Sequence, residues 1–277
     1  MDLENFLEEL LIVIVLFKTK PQDSEALKAI REASGGSASF PAIFIYDNSP
    51  EEAPVHASYL TYFHDPHNGG VSRAYNKAAA LAEQKNKKWL LFLDQDTLIE
   101  PSLFRKFSES INQHPESVAF VPYVKDHDGL ISPFAFSLGN GRRMKSTGSR
   151  LALQKFRFIN SGLLITRSGF IAAGGYDETI PLDFSDIAFA ERLRKVTDHF
   201  QVIDLALVHG FSPRQNISAE DAIARFQHFC TGANAMGRNT GHPYLYRMRS
   251  FLHSVRLTLR YGDRRFLEIY LQRSIHG

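Results

Sequence analysis

The sequence predicts an α/β protein with a mostly parallel sheet, flanking helices and a helical C-terminal extension. Short apolar runs rich in β-branched residues, such as residues 11–17, alternate with helical patterns along the first two thirds of the chain. Strands of this kind are buried on both faces, which is typical of parallel sheets. Beyond residue 211 the strand pattern stops, and residues 219–236 and 246–273 have near-helical apolar spacing.

The composition indicates a globular protein, and its cysteine content fits either a reducing compartment or a secreted protein without disulfides. The chain has 277 residues, of which 44% are hydrophobic and 22% charged. A formal net charge of +2 gives no reason to expect a nucleic-acid partner. Cys230 is the single cysteine, so no internal disulfide is possible. The apolar run at 10–17 is too short to cross a bilayer and follows acidic residues, unlike a signal peptide, so we expect a cytoplasmic protein.

Strands and helices alternate from the start of the chain. Residues 11–17 predict a central strand, and residues 22–33 predict a helix that ends in a glycine-rich turn. Residues 42–46 predict a second buried strand, which stops at the polar segment D-N-S-P. Residues 60–63 predict a third, weaker strand.

The alternation continues through the middle of the chain. Residues 72–84 predict an alanine-rich helix, and residues 89–93 predict a strand. Pro101 predicts the start of a further helix, and residues 118–124 a further strand. Residues 139–150 are glycine-rich and basic without an apolar period. They predict either a mobile loop that closes over an anionic ligand or an ordinary surface loop.

The end of the strand pattern predicts the domain organisation. We expect one domain over residues 1–212 and a helical extension over residues 213–277. The segment 246–273 combines arginines with leucine, phenylalanine and tyrosine. It predicts either contact with an anionic membrane surface or packing on the first domain or on another subunit.

Two carboxylates, Asp94 and Asp96, directly follow the apolar strand at 89–93. Like charges this close repel unless a cation lies between them. Carboxylate oxygens suit Mg²⁺ or Mn²⁺, which would in turn bind a diphosphate. The alternative is an ordinary strand end, with Asp96 or Thr97 capping the helix that follows. A ligand site is favoured because Asp47 also ends a strand, and the carboxyl ends of parallel strands share one edge of the sheet.

Two classes of enzyme have a motif of this kind. Haloacid dehalogenase-type phosphohydrolases use D-x-D-x-T after an apolar strand, with the first aspartate as nucleophile. Here Thr97 directly follows Asp96, so the spacing is one residue short. The motif also follows two complete strand–helix units. A phosphohydrolase with Asp94 as nucleophile is therefore the less favoured alternative.

The wider sequence resembles the family 2 glycosyltransferases, which have the GT-A fold. Seven segments carry the resemblance in order between residues 10 and 212: D-N-S at 47–49, N-G-G-V-S-R-A-Y-N at 68–76, L-D-Q-D-T at 93–97, N-S-G at 160–162, G-G-Y-D-E at 174–178, F-S-D-I-A-F-A-E-R at 184–192 and V-H-G at 208–210. The D-Q-D form is similar to the rhamnosyltransferase branch. The resemblance implies a GT-A, Rossmann-like catalytic domain.

The resemblance also assigns residues to the nucleotide. It implies that the nucleotide-binding residues are Asp47, Asn48, Asn68, Gly69, Gly70, Ser72, Asn76 and Asp94. Asp47 would bind the base or ribose, and its alternative is a turn at a strand end. The glycines would let the backbone approach the nucleotide, and Ser72 would begin the helix behind it. The alternative is a plain glycine loop with a serine cap.

The metal and the general base follow from the same resemblance. Asp96 is the implied metal ligand, and the metal would neutralise the departing diphosphate. Asp186 is the implied base that takes the acceptor proton, with Asp183 able to share that role. Ser185 and Ala188 depart from the acidic residues that the family has there. The alternative for Asp186 is a helix cap.

Further residues belong to the implied site with weaker roles. His209 would reach the metal or the diphosphate from the last strand, and Arg192 would lie in the helix after Asp186. Their alternatives are a packed histidine and a surface ion pair. Asn160, Ser161 and Gly162 form the N-S-G segment.

The implied reaction is inverting transfer of a sugar from a nucleoside diphosphate sugar to an acceptor hydroxyl. The first expected donor is dTDP-L-rhamnose, with a UDP-sugar second. The acceptor would be a glycan or a lipid-linked molecule in bacterial surface polysaccharide synthesis. A non-catalytic sugar-nucleotide binder, which tolerates loss of Asp186, remains an alternative.

Overall fold

The computed structural model describes residues 1–34, 40–137, 139–144, 148–209 and 218–275, except the side chains of residues 209, 274 and 275. The glycine-rich turn after the first long helix, the middle of the basic loop and the 212/213 domain boundary therefore lie outside the described residues.

The strands are short, and the central ones are buried on both faces because their residues are almost all apolar. In order they are β1 (Leu10–Leu16), β2 (Ala42–Asp47), β3 (Leu60–His64), β4 (Trp89–Asp94), β5 (Thr97–Leu98), β6 (Ala119–Asp126), β7 (Gly129–Ser132), β8 (Phe134–Ser137), β9 (Asn140–Arg142), β10 (Arg150–Ala152), β11 (Phe156–Arg157), β12 (Leu164–Thr166) and β13 (His199–His209).

The helices are α1 (Leu3–Glu8), α2 (Glu25–Ser34), α3 (Gly70–Gln84), α4 (Leu103–Gln113), α5 (Arg167–Ala172), α6 (Ser185–Leu193), α7 (Ala219–Thr240), α8 (Pro243–Tyr261) and α9 (Arg265–Tyr270). A 3-10 turn at Pro21–Asp23 precedes α2, and a π-helical turn at Leu271–Ile275 follows α9. None of the helices in the described part of the chain is both long enough and apolar enough to cross a membrane.

The main sheet has the order β10-β13-β6-β12-β4-β1-β2-β3, with β5 beside β13 and β7 beside β6. The strands β4, β1, β2 and β3 are parallel, and β13 is parallel to β6. The strand β12 lies antiparallel between β4 and β6. The predicted α/β fold with a mostly parallel sheet is confirmed, and β12 brings the segment before it to the carboxyl end of β4.

Helices cover both faces of this sheet. Side chains of α3, α5 and α6, such as Ala78, Phe170 and Phe189, pack on one face. Side chains of α1, α2 and α4, such as Leu27 and Phe104, pack on the other. Each helix presents one apolar stripe to the sheet, which is the usual way in which amphipathic helices bury their apolar residues.

The structure differs from the sequence-based expectation in three places. The stretch at 139–150, expected to be loop, begins with β9 and ends at the start of β10, because backbone pairing with β8 and β13 needs no apolar period. The expected helix at 246–273 is split, since Gly262 adopts a left-handed conformation with φ +69° and ends α8. The helix expected to start at Pro101 begins at Leu103, so neither Asp96 nor Thr97 caps it.

Candidate active site

The predicted site residues gather at one edge of the main sheet, where the parallel strands β1, β2 and β4 end. The sheet register pairs Leu16 with Asp47 on one side of β1 and Val15 with Asp94 on the other. Asp47 and Asp94 therefore lie at nearly the same level, two strands apart, or roughly 10 Å at the usual strand spacing.

The turn that carries Asp94 and Asp96 is held in place by hydrogen bonds from neighbouring elements. The Gln95 side chain accepts a hydrogen bond from the Phe17 N–H at 2.8 Å. The Gln95 carbonyl accepts from the Ser24 hydroxyl at 3.0 Å and from the Ala26 N–H at 3.2 Å. The middle residue of D-Q-D thus anchors the turn to β1 and α2, which fixes where the two flanking carboxylates lie.

Asp47 is fully buried, and its carboxylate is engaged within the protein. One oxygen accepts from the Ser49 N–H at 2.8 Å, and the other accepts from the Tyr62 hydroxyl at 2.7 Å. Burial, with the hydrogen bond to Asp47, raises the pKa of Tyr62 to about 12. The first contact is the turn that was the alternative role for Asp47. A carboxylate accepts about four hydrogen bonds, so these two leave capacity for a ligand.

Asn48, the next residue, is 3% exposed. Its side-chain oxygen is buried and has no hydrogen-bond partner among the described residues. A buried acceptor without a donor costs about 1–3 kcal/mol. Asn48 therefore contributes an unsatisfied, buried acceptor at the end of β2.

The loop between β3 and α3 is organised by Asp65, which the sequence analysis missed. Asp65 accepts hydrogen bonds from the Tyr46 hydroxyl at 2.5 Å and from the N–H groups of His67 and Gly69 at 3.1 Å each. Although burial opposes ionisation, these hydrogen bonds hold the pKa of Asp65 below its usual range. Its position directly after a third strand end was the signal available in the sequence.

The glycines of this loop permit close backbone contact. Asn68 and Gly70 both have positive φ values, 51° and +81°. A Cβ at Gly70 would lie 2.2 Å from the Pro181 carbonyl oxygen. The Val71 N–H donates to that oxygen, and the Ser72 hydroxyl donates to the Ile180 carbonyl at 2.5 Å. The loop is thus fastened to the segment that leads into α6.

The segment Asn160–Gly162 connects the end of β4 to the start of α6. The Ser161 hydroxyl accepts from the Asp94 N–H at 3.2 Å and lies 2.6 Å from the Thr97 hydroxyl. The Asn160 side-chain amide donates to the Ser185 hydroxyl at 3.1 Å. A chain of polar contacts therefore joins Asp94 to the residue immediately before Asp186.

Asp186 lies half-buried in the first turn of α6, where the surrounding atoms desolvate its carboxylate. This desolvation raises the pKa of Asp186 to about 7, and the negative charges of Asp183 and Asp94 act in the same direction. The Ile187 N–H donates to the carboxylate at 2.7 Å and partly opposes the shift. A carboxylate with a pKa near neutrality is suited to accept a proton during a reaction. Phe184, with φ 75°, occupies the cap position of α6, so Asp186 is not the helix cap.

The neighbours of Asp186 explain how α6 departs from the family pattern. Ala188 is 5% exposed and packs against Ala233 and Met236 of α7, where a carboxylate would be buried among apolar atoms. Asp183 forms an ion pair with Arg225 of α7 at 3.3 Å. The C-terminal extension is therefore part of the surroundings of the candidate base.

Two predicted residues are engaged in structural contacts. The Asn76 side chain donates to the Tyr176 carbonyl at 3.0 Å and accepts from the Tyr176 N–H at 2.8 Å. Arg192 pairs with Asp177 at 3.2 Å and donates to the Gly174 carbonyl at 3.0 Å. Both residues hold the G-G-Y-D-E turn in place. The nucleotide-binding role of Asn76 and the membership of Arg192 in the site stay predictions.

The predicted metal ligands fit a divalent cation in part. Asp94 and Asp96 are half-buried carboxylates, the hard oxygen donors that Mg²⁺ and Mn²⁺ prefer. The backbone of His209 ends β13 opposite Thr97, but its side chain lies outside the described residues. A separate group, Asp126, His127 and Asp128, also has metal-ligand spacing. There Arg143 pairs with Asp126 at 2.6 Å and lowers the pKa of that carboxyl to about 2.

Comparison with known proteins shows which family has this arrangement. The sequence profile of glycosyl transferase family 2 matches residues 12–170. The chain belongs to glycosyl transferase family 2. This family 2 protein has a GT-A-like fold with C-terminal helices. The match covers Asp47, Asp94, Asp96 and the N-S-G segment, and it ends before Asp186.

Solved structures also resemble this family 2 glycosyltransferase. S. aureus TarS aligns with a TM-score of 0.51 and 13% identity over 81% of this chain and 39% of that chain. A 1-349 fragment of S. aureus TarS in complex with UDP-GlcNAc aligns with a TM-score of 0.47 and 15% identity over 81% of this chain and 66% of that chain. The chain thus spans about two fifths of the TarS chain. No curated protein matches it.

Proposed function

We propose that this glycosyltransferase moves a sugar from a nucleoside diphosphate sugar to an acceptor hydroxyl with inversion. The observation that carries the proposal is the polar chain from Asp94 through Ser161, Asn160 and Ser185 to Asp186. Its hydrogen bonds, from the Asp94 backbone N–H to the Ser161 hydroxyl and from the Asn160 amide to the Ser185 hydroxyl, fix the turn that bears the carboxylate pair relative to the start of α6. There the pKa of Asp186 is raised to about 7.

Asp186 is the general base in this proposal. The acceptor oxygen attacks the anomeric carbon from the side opposite the diphosphate, and its proton passes to the Asp186 carboxylate. The bond between the anomeric carbon and the diphosphate oxygen breaks in the same step. The raised pKa of Asp186 keeps it able to accept that proton near neutral pH. Asp183 assists by its charge, because that charge raises the pKa of Asp186.

A divalent metal, Mg²⁺ or Mn²⁺, bound by Asp96 with Asp94 beside it, would neutralise the departing diphosphate. Mg²⁺ in proteins is commonly bound by one or two carboxylates together with substrate phosphates, so two ligands from this turn suffice. The hydrogen bond from the Phe17 N–H to the Gln95 side chain anchors the turn that carries both carboxylates.

The nucleotide base is proposed to be a pyrimidine read by Asn48. Asn48 follows Asp47 at the end of β2, and its buried side-chain oxygen has no partner among the described residues, so a ring N–H of uracil or thymine could be accepted there once the side chain turns toward the ligand. The D-Q-D form makes dTDP-L-rhamnose the first donor to test and a UDP-sugar the second. The acceptor is proposed to be a glycan or lipid-linked precursor of a bacterial surface polysaccharide.

Thermal shift of the purified chain with dTDP, UDP, GDP and CDP, each with and without Mn²⁺, tests the nucleotide site. A ligand that binds only the folded protein raises its melting temperature. We expect one pyrimidine nucleotide to raise Tm in the presence of Mn²⁺ and Asp96→Ala to abolish that rise. Asp128→Ala, in the other acidic group, is the matched control and should keep it. Equal loss in both variants, or no shift with any nucleotide, contradicts the proposal.

The helix α8 is proposed to lie on an anionic membrane surface at the inner face of the membrane. Its exposed apolar residues are Tyr244 (81% exposed), Met248 (54%), Phe251 (44%), Leu252 (58%) and Leu259 (81%). Their spacing places them on one face of the helix. The same helix carries four arginines and no acidic residue. An apolar face with flanking arginines is complementary to anionic lipid headgroups.

Co-sedimentation with phosphatidylglycerol and phosphatidylcholine vesicles tests this contact. We expect binding to the anionic vesicles, lost in Leu252→Glu because a carboxylate in the apolar face opposes insertion and meets like charge. Ile171→Glu, at a residue of α5 with 52% exposure, is the matched control and should bind normally. A change of oligomeric state in Leu252→Glu without any vesicle binding would assign this face to a second copy instead.

A further inference from the structure

A cavity of 880 Å³ lies on the side of α6 that faces away from Asp186. It is bounded by α6, the end of α7, the start of α8 and the strands β8 and β11. The α6 residues that line it include Ala188, Glu191 and Arg192, which share one face of the helix. Asp186 precedes Ala188 by two residues, about 200° around the helix axis. The cavity is therefore separated from the proposed base by α6 itself.

The lining of this cavity is strongly cationic. Arg157, Arg192, Arg194 and Lys195 line it together with a single carboxylate, Glu191. Glu191 pairs with both Arg157 and Arg194. Lys195 makes no ion pair within the described residues, so the positive charge exceeds the negative charge around the cavity. A concave surface of one charge sign concentrates ligands of the opposite sign.

Arg157 is the clearest sign that this cavity accepts an anion. Its side chain is only 2% exposed, although arginine is almost never buried without full pairing. It donates to the Leu153 carbonyl and, at 2.8 Å, to the Phe156 carbonyl, and it pairs with Glu191, but its Nε is buried without a partner among the described residues. Burial lowers the pKa of Arg157, and an added anion would relieve that cost.

The shape and the neutral lining of the cavity favour a carbohydrate. A second cavity of 690 Å³ shares Gln154, Glu191, Arg194 and Lys195 with the first, so the two form one elongated groove. The second cavity is also lined by Asp198, so the anion is expected at the first cavity, where Glu191 is the one carboxylate among the described lining residues.

The first cavity is also lined by Asn239, Thr240 and the ring of Phe136. The Asn239 amide donates to Asp177 at 3.0 Å and the Thr240 hydroxyl donates to the Met236 carbonyl at 2.7 Å, so their oxygens are the groups that would accept from a sugar hydroxyl. A few polar groups beside an aromatic ring are typical of sites that orient small polar ligands.

We propose that this groove binds a carbohydrate bearing phosphate or carboxylate groups, at a site distinct from the nucleotide-sugar site. The anionic group lies against Lys195, Arg194 and Arg157, and the sugar contacts Phe136 and the amide and hydroxyl groups. The assignment of this sugar to the acceptor rests on the proposed transferase function. The binding itself does not.

Ligand-observed NMR titration of the full chain tests the site, with glucose 6-phosphate, glucuronate, neutral glucose and inorganic phosphate as probes. We expect the two anionic sugars to bind and neutral glucose to bind at least about fivefold more weakly, a difference of about 1 kcal/mol. Lys195→Ala should weaken anionic-sugar binding by about fivefold, and Lys195→Arg should restore it. Lys106→Ala, an exposed lysine on α4, is the matched control.

Further measurements distinguish ligand binding in this groove from binding at the nucleotide site. Asp96→Ala should leave glucose 6-phosphate binding unchanged, and the Lys195 variants should leave any nucleotide-induced thermal shift unchanged. A phosphorylated oligosaccharide that binds more tightly than glucose 6-phosphate assigns the groove to an acceptor chain, and equal affinity assigns it to a small sugar phosphate. Equal binding of all sugars, no effect of Lys195→Ala, or competition by the nucleotide overturns the proposal.

Discussion

At the residue scale, the environment of Asp186 decides the chemistry that the site can perform. An isolated aspartate on a helix surface is ionised at neutral pH and is a weak base. Here desolvation and the charges of Asp183 and Asp94 raise its pKa to about 7. Asp183 is held differently, by an ion pair with Arg225 at 3.3 Å. Two neighbouring carboxylates thus have different environments, which favours Asp186 as the base.

Replacing Asp186 by Asn should lower the transfer rate by about 10²–10⁴-fold while leaving the nucleotide-induced thermal shift intact. The wild-type rate should rise with pH through about 7, because only the ionised carboxylate accepts the acceptor proton. Asp183→Asn should cost less. A pH–rate profile that is flat between about 5.5 and 8, or a larger loss in Asp183→Asn than in Asp186→Asn, contradicts this assignment.

At the element scale, the loop between β3 and α3 is fastened to the segment that leads into α6, the helix that carries Asp186. Gly70 approaches the Pro181 carbonyl so closely that no side chain fits, and its φ of +81° is one that other residues rarely adopt. The contact fastens α3 to the segment that leads into α6. Asp65 supports the same loop through its hydrogen bonds to His67 and Gly69.

Gly70→Ala should therefore destabilise the protein by more than its backbone conformation alone explains. Gly129→Ala is the matched control, since Gly129 also has a positive φ of +111° but has nothing within 4 Å of an added Cβ. We expect about 1 kcal/mol of destabilisation for the control and about 2–4 kcal/mol for Gly70→Ala, measured by urea unfolding. Equal destabilisation in the two variants would contradict this prediction, because it would mean that Pro181 moves away from the added Cβ without cost.

At the scale of the whole molecule, the C-terminal helices α7 and α8 pack against the segment that carries the proposed base Asp186. Ala233 and Met236 of α7 and Tyr246 of α8 share an apolar cluster with Ile180 and Ala188, which flank the proposed base. We propose residues 1–212 and 213–277 as two structural units that unfold together.

Calorimetry of the full chain should show one cooperative transition. Met236→Ala, at 1% exposure, should lower the free energy of unfolding by about 2–5 kcal/mol and shift the whole transition. Met248→Ala, in the same extension at 54% exposure, should change it by less than about 0.5 kcal/mol. Two separate transitions, with only one of them moved by Met236→Ala, would show that the extension folds on its own.

Local patterns in the sequence predicted much of the fold and the location of the site. The long central strands and the longer helices follow apolar periodicity, so their positions were predicted to within a few residues. The polar ends of β2 and β4 predicted the sheet edge that holds Asp47, Asp94 and Asp96. The short strands β7 to β11 were missed, because two to four paired residues contain no period that a sequence can reveal.

The sequence by itself determined the α/β class, the family resemblance and the types of residue available at the sheet edge. Only the tertiary structure decided that β12 lies antiparallel beside β4, that Asn160 and Ser161 join Asp94 to α6, and that Arg157 is buried beside a cavity. These features depend on contacts between segments far apart in the chain. Desolvation and charge proximity, which set the pKa of Asp186, arise only when those segments pack together.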